Sequence, residues 1–339
     1  MILVDGVPVT ASSSQPQGRE ILDSLLQSPT LISALDRLKS APARKVSGSE
    51  PVKLVYVFQK EYATVDPSLV QFVGTDEATT CVGLVIRNRE TGMTSISHMD
   101  FEGIVDMGLS QMLSSIVNQE MDATLDVHLI GGFEDTSYEN INGSSGSARH
   151  KRQDGFSLPL CSKIVAALQN RKERFHLQTF CVLGHNTKKD SNGNPLPIIS
   201  GFLVDTLSGL IVPASFDRTS RCPDEVVRRV RVTVAFEDPG WKGKLLETYD
   251  THHDRFQIAP CSWTSDWSQY AFSLLELPDS EILSRCSTSP AAESPDFIEN
   301  ERSNNPRLYT FKTFSKNVGL FDQAPRLEAN FYKEEAAYF

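Results

Sequence analysis

The chain has 339 residues, 40% of them hydrophobic and 22% charged, which is enough apolar material to bury a full core in one large domain or two small ones. Its 43 acidic residues outnumber its 33 basic ones, leaving a formal charge of -10 that argues against a general polyanion binder, because phosphate contacts need a basic face. Nucleic acid is not an expected partner.

The six cysteines (Cys81, Cys161, Cys181, Cys222, Cys261 and Cys286) lie at least twenty residues apart, so there is neither a Cys-x-x-Cys pair nor zinc-ribbon spacing. No metal and no other cofactor is expected, and scattered thiols suit a reducing compartment. The N-terminal MILVDGVPVTASSSQ lacks a basic segment ahead of an apolar run, and nowhere do roughly 18 apolar residues run together. No membrane partner is expected; the expected location is cytoplasmic, with the nucleus also open.

In chain order, residues 2–9 read as a short strand. ILDSLLQ and LISALDRLK carry apolar residues at helical spacing, with Pro29 splitting them into two helices. A Ser/Pro/Gly-rich connector over 41–51 leads to a strand at 54–59. The stretch TTCVGLVIRN predicts a strand over 79–88, and a Glu90-Thr91-Gly92 turn returns it as MTSISHMD over 93–100, a hairpin. Leu109, Met112, Leu113, Ile116 and Val117 form a helical stripe suited to packing on a sheet. In LDVHLIGG, Leu125, Val127 and Leu129 alternate with Asp126 and His128, the pattern of a strand.

Residues 134–156, rich in Ser, Gly, Asn and charge, read as a mobile loop. Pro159 suits the first turn of a helix over 157–170. A strand at 175–183 follows, then a hairpin loop over 186–195, and two paired strands around a Leu207-Ser208-Gly209 turn. Residues 222–236 are expected to begin as a helix and end as a strand, and 255–260 to form one more strand. From about 287 the chain becomes polar, with Phe297, Leu308, Tyr309 and Phe311 suggesting an extension packed on the core. The expectation is a single catalytic domain over 1–339.

The candidate nucleophile is Cys81, set in GTDEATTC where polar residues crowd ahead of an apolar strand. A lone intracellular cysteine is more often a small buried hydrophobe, and what lifts Cys81 above the others is His98. Pairing through the turn sets opposite one another residues whose numbers sum to about 180, which brings the His98 imidazole within reach of the Cys81 thiol. His128 and His176 fall on the less apolar sides of their strands and suit structural roles. His252 and His253 have no ligand partner at metal spacing and read as solvated loop residues. Walker, G-x-G-x-x-G, H-E-x-x-H and G-x-S-x-G signatures are absent.

The blocks GTDEATTC and SISHMD strongly resemble the eukaryotic protein N-terminal asparagine amidohydrolase family. VDG at 4–6, VHLIGGF at 127–133, ASF at 214–216, SWT at 262–264 and STSPAAESPDFIE at 287–299 carry the same resemblance along nearly the whole chain. More distantly, the 17-residue interval from Cys81 to His98 resembles that of bacterial glutamine deamidases and deamidating toxins. The resemblance implies an α+β fold: a β-sandwich-like core of mostly antiparallel strands with flanking helices, as in those bacterial Cys/His deamidases. It leaves the 134–156 loop and the C-terminal extension outside the catalytic core.

It further implies deamidation of an N-terminal asparagine to aspartate, with Cys81 as nucleophile and His98 as base, in proteins and peptides destined for degradation. Thr75 resembles a threonine that orients the base in the bacterial enzymes, although it could equally cap the turn. Backbone N–H groups at Thr80 and Cys81 are the expected oxyanion donors. A carboxylate best senses a free α-ammonium, and Asp76 and Glu77 stand nearest in sequence; either could also be a solvated loop acid. Two other readings compete, a deamidase of internal glutamines in folded proteins and a non-catalytic adaptor for degradation substrates.

Overall fold

The strand that follows Cys81, β7 (Val82–Asn88), is apolar on both sides, and both are covered. Val82, Leu84 and Ile86 join a core shared with helices, whereas Val85 joins a second core between two sheets. A strand buried on both faces reads as a continuous apolar run, which is the pattern of VGLVI. The computed structural model describes residues 1–10, 18–49, 52–117, 123–135, 154–235, 239–258 and 276–302.

The first sheet has eight strands in the order β15 (Leu246–Glu247), β5 (Glu61–Val65), β8 (Thr94–Met99), β7, β9 (Thr124–Gly131), β10 (Arg174–Cys181), β1 (Ile2–Val4) and β2 (Val7–Pro8). The second has five: β3 (Arg44–Val46), β14 (Ile211–Phe216), β13 (Phe202–Asp205), β6 (Phe72–Thr75) and β4 (Leu54–Tyr56). Antiparallel pairs form the middle of both sheets, from β5 through β9 and from β14 through β6, while β15, β10, β1, β3 and β4 add parallel pairs toward the rims. The fold is α+β, as expected, with mixed sheets in which antiparallel pairs outnumber parallel ones. Val85, Ile96 and Ile130 of the first sheet meet Val73, Phe202 and Val204 of the second.

Helices α1 (Gly18–Leu26), α3 (Val105–Ser114) and α4 (Ser157–Gln169) cover the outer face of the first sheet, with Leu125, Val127 and Leu129 turned toward them as the alternation predicts. Helix α2 (Pro29–Ser40) begins at the proline that splits the N-terminal helical stretch and sends Leu35 and Leu38 into the inter-sheet core. The short ladders β11 (Thr187–Lys189) with β12 (Pro195–Pro197) and β16 (Tyr249–Asp250) with β17 (Arg255–Phe256) lie outside the two large sheets. Among the described residues no helix is long and apolar enough to cross a membrane.

The stretch 222–236 departs from expectation. It is helical through its second half, as α5 (Glu225–Val234), and among the described residues no strand follows within the stretch. Asp224 caps it through Val227 N, and a three-residue spacing brings Arg228 and Arg231 onto the one carboxylate of Glu61. Val232 and Ala235 pack on the outer face of the second sheet. Helical spacing of the buried arginines overrides the strand preference of the valines. Strands β5 and β6 were not anticipated. Helix α6 (Asp279–Cys286) precedes the polar C-terminal stretch.

Two expected features fall partly beyond view. Of the 134–156 loop, 136–153 lie outside the described residues; its base is closed by Asp135, whose carboxylate accepts from Phe156 N (2.6 Å) and Ser157 N (3.3 Å). Of the C-terminal extension, 303–339 lie outside them, as do Leu308, Tyr309 and Phe311.

Candidate active site

Thr75 closes β6 in the second sheet, and residues 76–80 carry the chain across to Cys81, one residue ahead of β7 in the first. This crossing is tightly held. Ala78 N donates to Ser200 O (2.8 Å), Thr79 N to Glu77 O (3.0 Å), and Glu77 adopts a left-handed φ of 60°. On the far side, Gly131 has a φ of 116° and lies so close that a Cβ there would come within 2.5 Å of the Cys81 carbonyl oxygen. Only glycine fits both demands.

The hairpin register pairs Gly83 with His98 and Val85 with Ile96. Since Val85 and Ile96 face the inter-sheet core, alternation turns His98 and Cys81 the same way. Cys81 continues the register opposite Asp100, so it is a diagonal neighbour of His98 across the pair, about 7–8 Å apart at the backbone and within reach of long side chains. Gly83, facing His98, has no side chain to intervene. The expected summed register of about 180 is met to within one residue.

The His98 ring spans the two sheets. Its Nδ1 is 2.8 Å from Thr75 Oγ1, while its Nε2 is buried without a partner among the described residues, His98 being 2% exposed. Orphaned buried nitrogens are rare in folded proteins and cost free energy unless something else meets them. His98 lines a cavity of about 90 Å³ together with Tyr56, Phe58, Gln59, Glu77, Arg229 and Glu301, among others. Burial holds its pKa down to about 4, with the charges of Glu77 and Glu61 partly opposing. Burial likewise pushes the Cys81 thiol up, and Asp100 and Glu293 add to the rise. At neutral pH the pair therefore rests as thiol and neutral imidazole.

The carboxylates nearest Cys81 in sequence are occupied. Asp76 accepts from Tyr56 Oη (2.5 Å) and Phe216 N (2.8 Å), and both its oxygens lie 3.3 Å from Arg221. Glu77 lines the cavity but is clasped by Arg229 through two nitrogens at 3.1 Å and by Arg221 at 2.8 Å. Burial alone would raise its pKa; Arg229 and then Arg221 overcome that and hold it below the usual range. Thr80 bonds by its hydroxyl to Thr288 (2.8 Å), and its carbonyl accepts from Ser157 Oγ (3.3 Å). Among the described residues nothing accepts from the amide N–H of Thr80 or of Cys81.

Several contributors had no obvious mark in the sequence. Arg221, in the 3-10 turn Arg218–Arg221, and Arg229 of α5, which lines the cavity, reach Glu77 from about 150 residues downstream, the Arg229 contact spanning 152 positions. Their one signal is a crowding of arginines among valines in an acidic chain. Contrary to expectation, the C-terminal stretch is part of the site: Thr288 and Ser289 bond the hydroxyls of Thr80 (2.8 Å) and Thr79 (2.9 Å). His128 has a structural partner, Thr179 Oγ1, at 3.0 Å. Among the described residues no group of three or more His, Cys, Asp or Glu is placed to hold a metal ion.

A buried thiol, an imidazole with one nitrogen held by a hydroxyl and the other without a partner among the described residues, and two amide donors beside the thiol are an arrangement suited to acyl chemistry at a carbonyl. The family model for protein N-terminal asparagine amidohydrolase matches residues 44–336, and the chain belongs to that family. An Arabidopsis thaliana protein of that description is 52% identical over 311 residues, covering 90% of this chain and 89% of its own. Relatives described in the same words from Mus musculus and Homo sapiens are 32% and 29% identical over 273 residues, each covering 79% of this chain and 78% of their own.

Proposed function

We propose that the protein hydrolyses the side-chain amide of an N-terminal asparagine, giving aspartate and ammonia, with Cys81 as nucleophile and His98 as base. The observation that carries the mechanism is the Nε2 of His98, buried with no partner among the described residues, on a ring that lines a small cavity and lies on the same hairpin face as the thiol. Thr75 takes the Nδ1–H when its own hydroxyl points toward Asp76 O, 3.5 Å away, and this leaves the Nε2 lone pair open to the thiol proton.

Cys81 Sγ then bonds to the carboxamide carbon as its proton passes to Nε2. The oxygen gathers negative charge against the Thr80 and Cys81 amides. The C–N bond breaks, and the imidazolium returns the proton to the departing ammonia. Water adds to the thioester, His98 takes its proton, and the C–S bond breaks to release aspartate and restore the thiol. Membership of the family supports asparagine at a chain terminus as the target. The substrates are proteins and peptides with a free N-terminal Asn, the new terminal Asp feeds N-degron degradation, and the protein works in the cytoplasm, with the nucleus also open.

Ammonia release from a short Asn-first peptide tests this. Release is expected from the free peptide and not from its acetylated form. A Gln-first peptide, whose extra methylene misplaces the reacting carbon, should react about 100-fold more slowly. Equal rates on internal Asn or Gln would favour a deamidase of folded partners, and tight binding with no ammonia would favour an adaptor.

A further inference from the structure

In an asparagine the α-nitrogen is three bonds from the carboxamide carbon, a span of about 3–4 Å. Whatever reads a terminal ammonium while Cys81 attacks must therefore stand beside the thiol. Asp76 and Glu77 precede Cys81 closely in sequence, but arginines already neutralise them. The carboxylates whose charges act on the Cys81 thiol are Asp100 and Glu293.

Asp100 follows β8 directly opposite Cys81 in the continued register. Its Oδ2 accepts from Gln59 Nε2 (3.2 Å), and its Oδ1 is buried with no partner among the described residues. Lys60 lies close enough to oppose the effect of burial, yet the carboxyl is still pushed up to about 6. Glu293 comes from the C-terminal stretch. Ser287 Oγ donates to it, Ser289 N donates to Ser287 Oγ (2.9 Å), and Ser289 and Thr288 are bonded to Thr79 and Thr80 immediately ahead of the nucleophile. Burial pushes Glu293 up to about 7, and Glu77 and Glu301 add to that. Among the described residues neither group is paired with an arginine, in the same region where His98 Nε2 is buried without a partner.

Resting on the function proposed above, we infer that Asp100 and Glu293 bind the α-ammonium of the substrate and so make the enzyme specific for a free terminus. An incoming ammonium supplies the counter-charge that Arg221 and Arg229 already give Asp76 and Glu77. Glu77, lining the cavity with Arg229, shapes the pocket without reading the amine. The C-terminal stretch is thereby a specificity element, since it alone delivers Glu293.

The test pairs an Asn-first peptide with its des-amino analogue, which keeps the carboxamide and replaces the α-amine by hydrogen. Dissociation constants for both are measured in a Cys81→Ala background, so that slow turnover does not obscure binding. Adding Asp100→Asn or Glu293→Gln is expected to weaken the free-amine peptide by about 10- to 100-fold and leave the des-amino peptide nearly unchanged. Adding Glu77→Gln should leave the ratio of the two within about threefold. An unchanged ratio in both the Asp100→Asn and Glu293→Gln proteins, or a collapse confined to Glu77→Gln, overturns the assignment. Should Asp100→Asn fail to fold, Glu293→Gln decides. Ammonia release by the wild-type enzyme separates the two levels: an enzyme inert on Asn-first peptides refutes the function itself, whereas an active one whose variants keep their discrimination refutes only this assignment.

Discussion

Two buried polar regions lie within one sandwich and are treated in opposite ways. Beneath α5, Glu61 is fully buried, and its two oxygens are taken by Arg228 and Arg231, while Arg228 also reaches Tyr56 O at 2.6 Å. Next to it Asp76 and Glu77 share Arg221 and Arg229. Every carboxylate there faces a cation. Around Cys81, the thiol and His98 rest neutral, Nε2 and the Asp100 Oδ1 have no partner among the described residues, and Asp100 and Glu293 titrate high. A cluster in which each carboxylate is paired with a guanidinium fixes geometry, whereas carboxylates without one are poised to take a ligand or a proton. The first positions α5 and the 76–80 crossing so that the second can stay unsatisfied.

The largest effect is expected on the uncompensated side. Cys81→Ala and His98→Ala should each lower ammonia release by on the order of 10³-fold or more while leaving the thermal transition within a few degrees of wild type. Cys81→Ser should be nearly as poor, an alcohol being far harder to ionise. More than a trace of release from Cys81→Ala would remove the thiol from the mechanism.

Glu61→Gln attacks the compensated side. It strands two buried guanidiniums, and a loss of about 3–5 kcal/mol in denaturant unfolding is expected. Glu77→Gln, whose side chain is 25% exposed, should cost clearly less. Equal losses would erase the distinction between the two regions as drawn.

Acid should reveal the other region's carboxylates before its histidine. Asp100 and Glu293, raised to about 6 and about 7, lose their negative charge as pH falls through those values, whereas His98, lowered to about 4, stays neutral and able to accept a proton. kcat/KM is therefore expected to fall by up to about tenfold per unit below pH 6–7, and Glu293→Gln to shift that limb. A limb near pH 4 instead would return control to His98.

The smallest change is Thr75→Val, which keeps the shape of the side chain and removes the oxygen 2.8 Å from Nδ1. A drop of about tenfold in kcat with KM little altered is expected, because ring orientation matters in the transition state more than in binding. An unaltered kcat would make the threonine a turn cap and nothing more.

Local pattern was enough for the hairpin and its consequence. The turn at 90–92, a period of two and the apolar run after Cys81 set the register, and the register alone puts Cys81 and His98 on one face. Proline at 29, the stripe in α3 and the alternation in β9 were legible for the same reason: each rests on neighbours a few residues away. Tertiary structure decided what depends on distant partners. The valine-rich 225–234 became a helix because Glu61, more than 160 positions earlier, takes Arg228 and Arg231 from one helical face, with |i−j| of 167 and 170. Likewise Asp76 and Glu77 look like free loop acids until Arg221 and Arg229 arrive, and Glu293 looks remote until Thr288 and Ser289 bond Thr80 and Thr79 across 208 and 210 positions. Periodicity records which way a side chain points, but the charge that will face it is known only once the chain has folded back on itself.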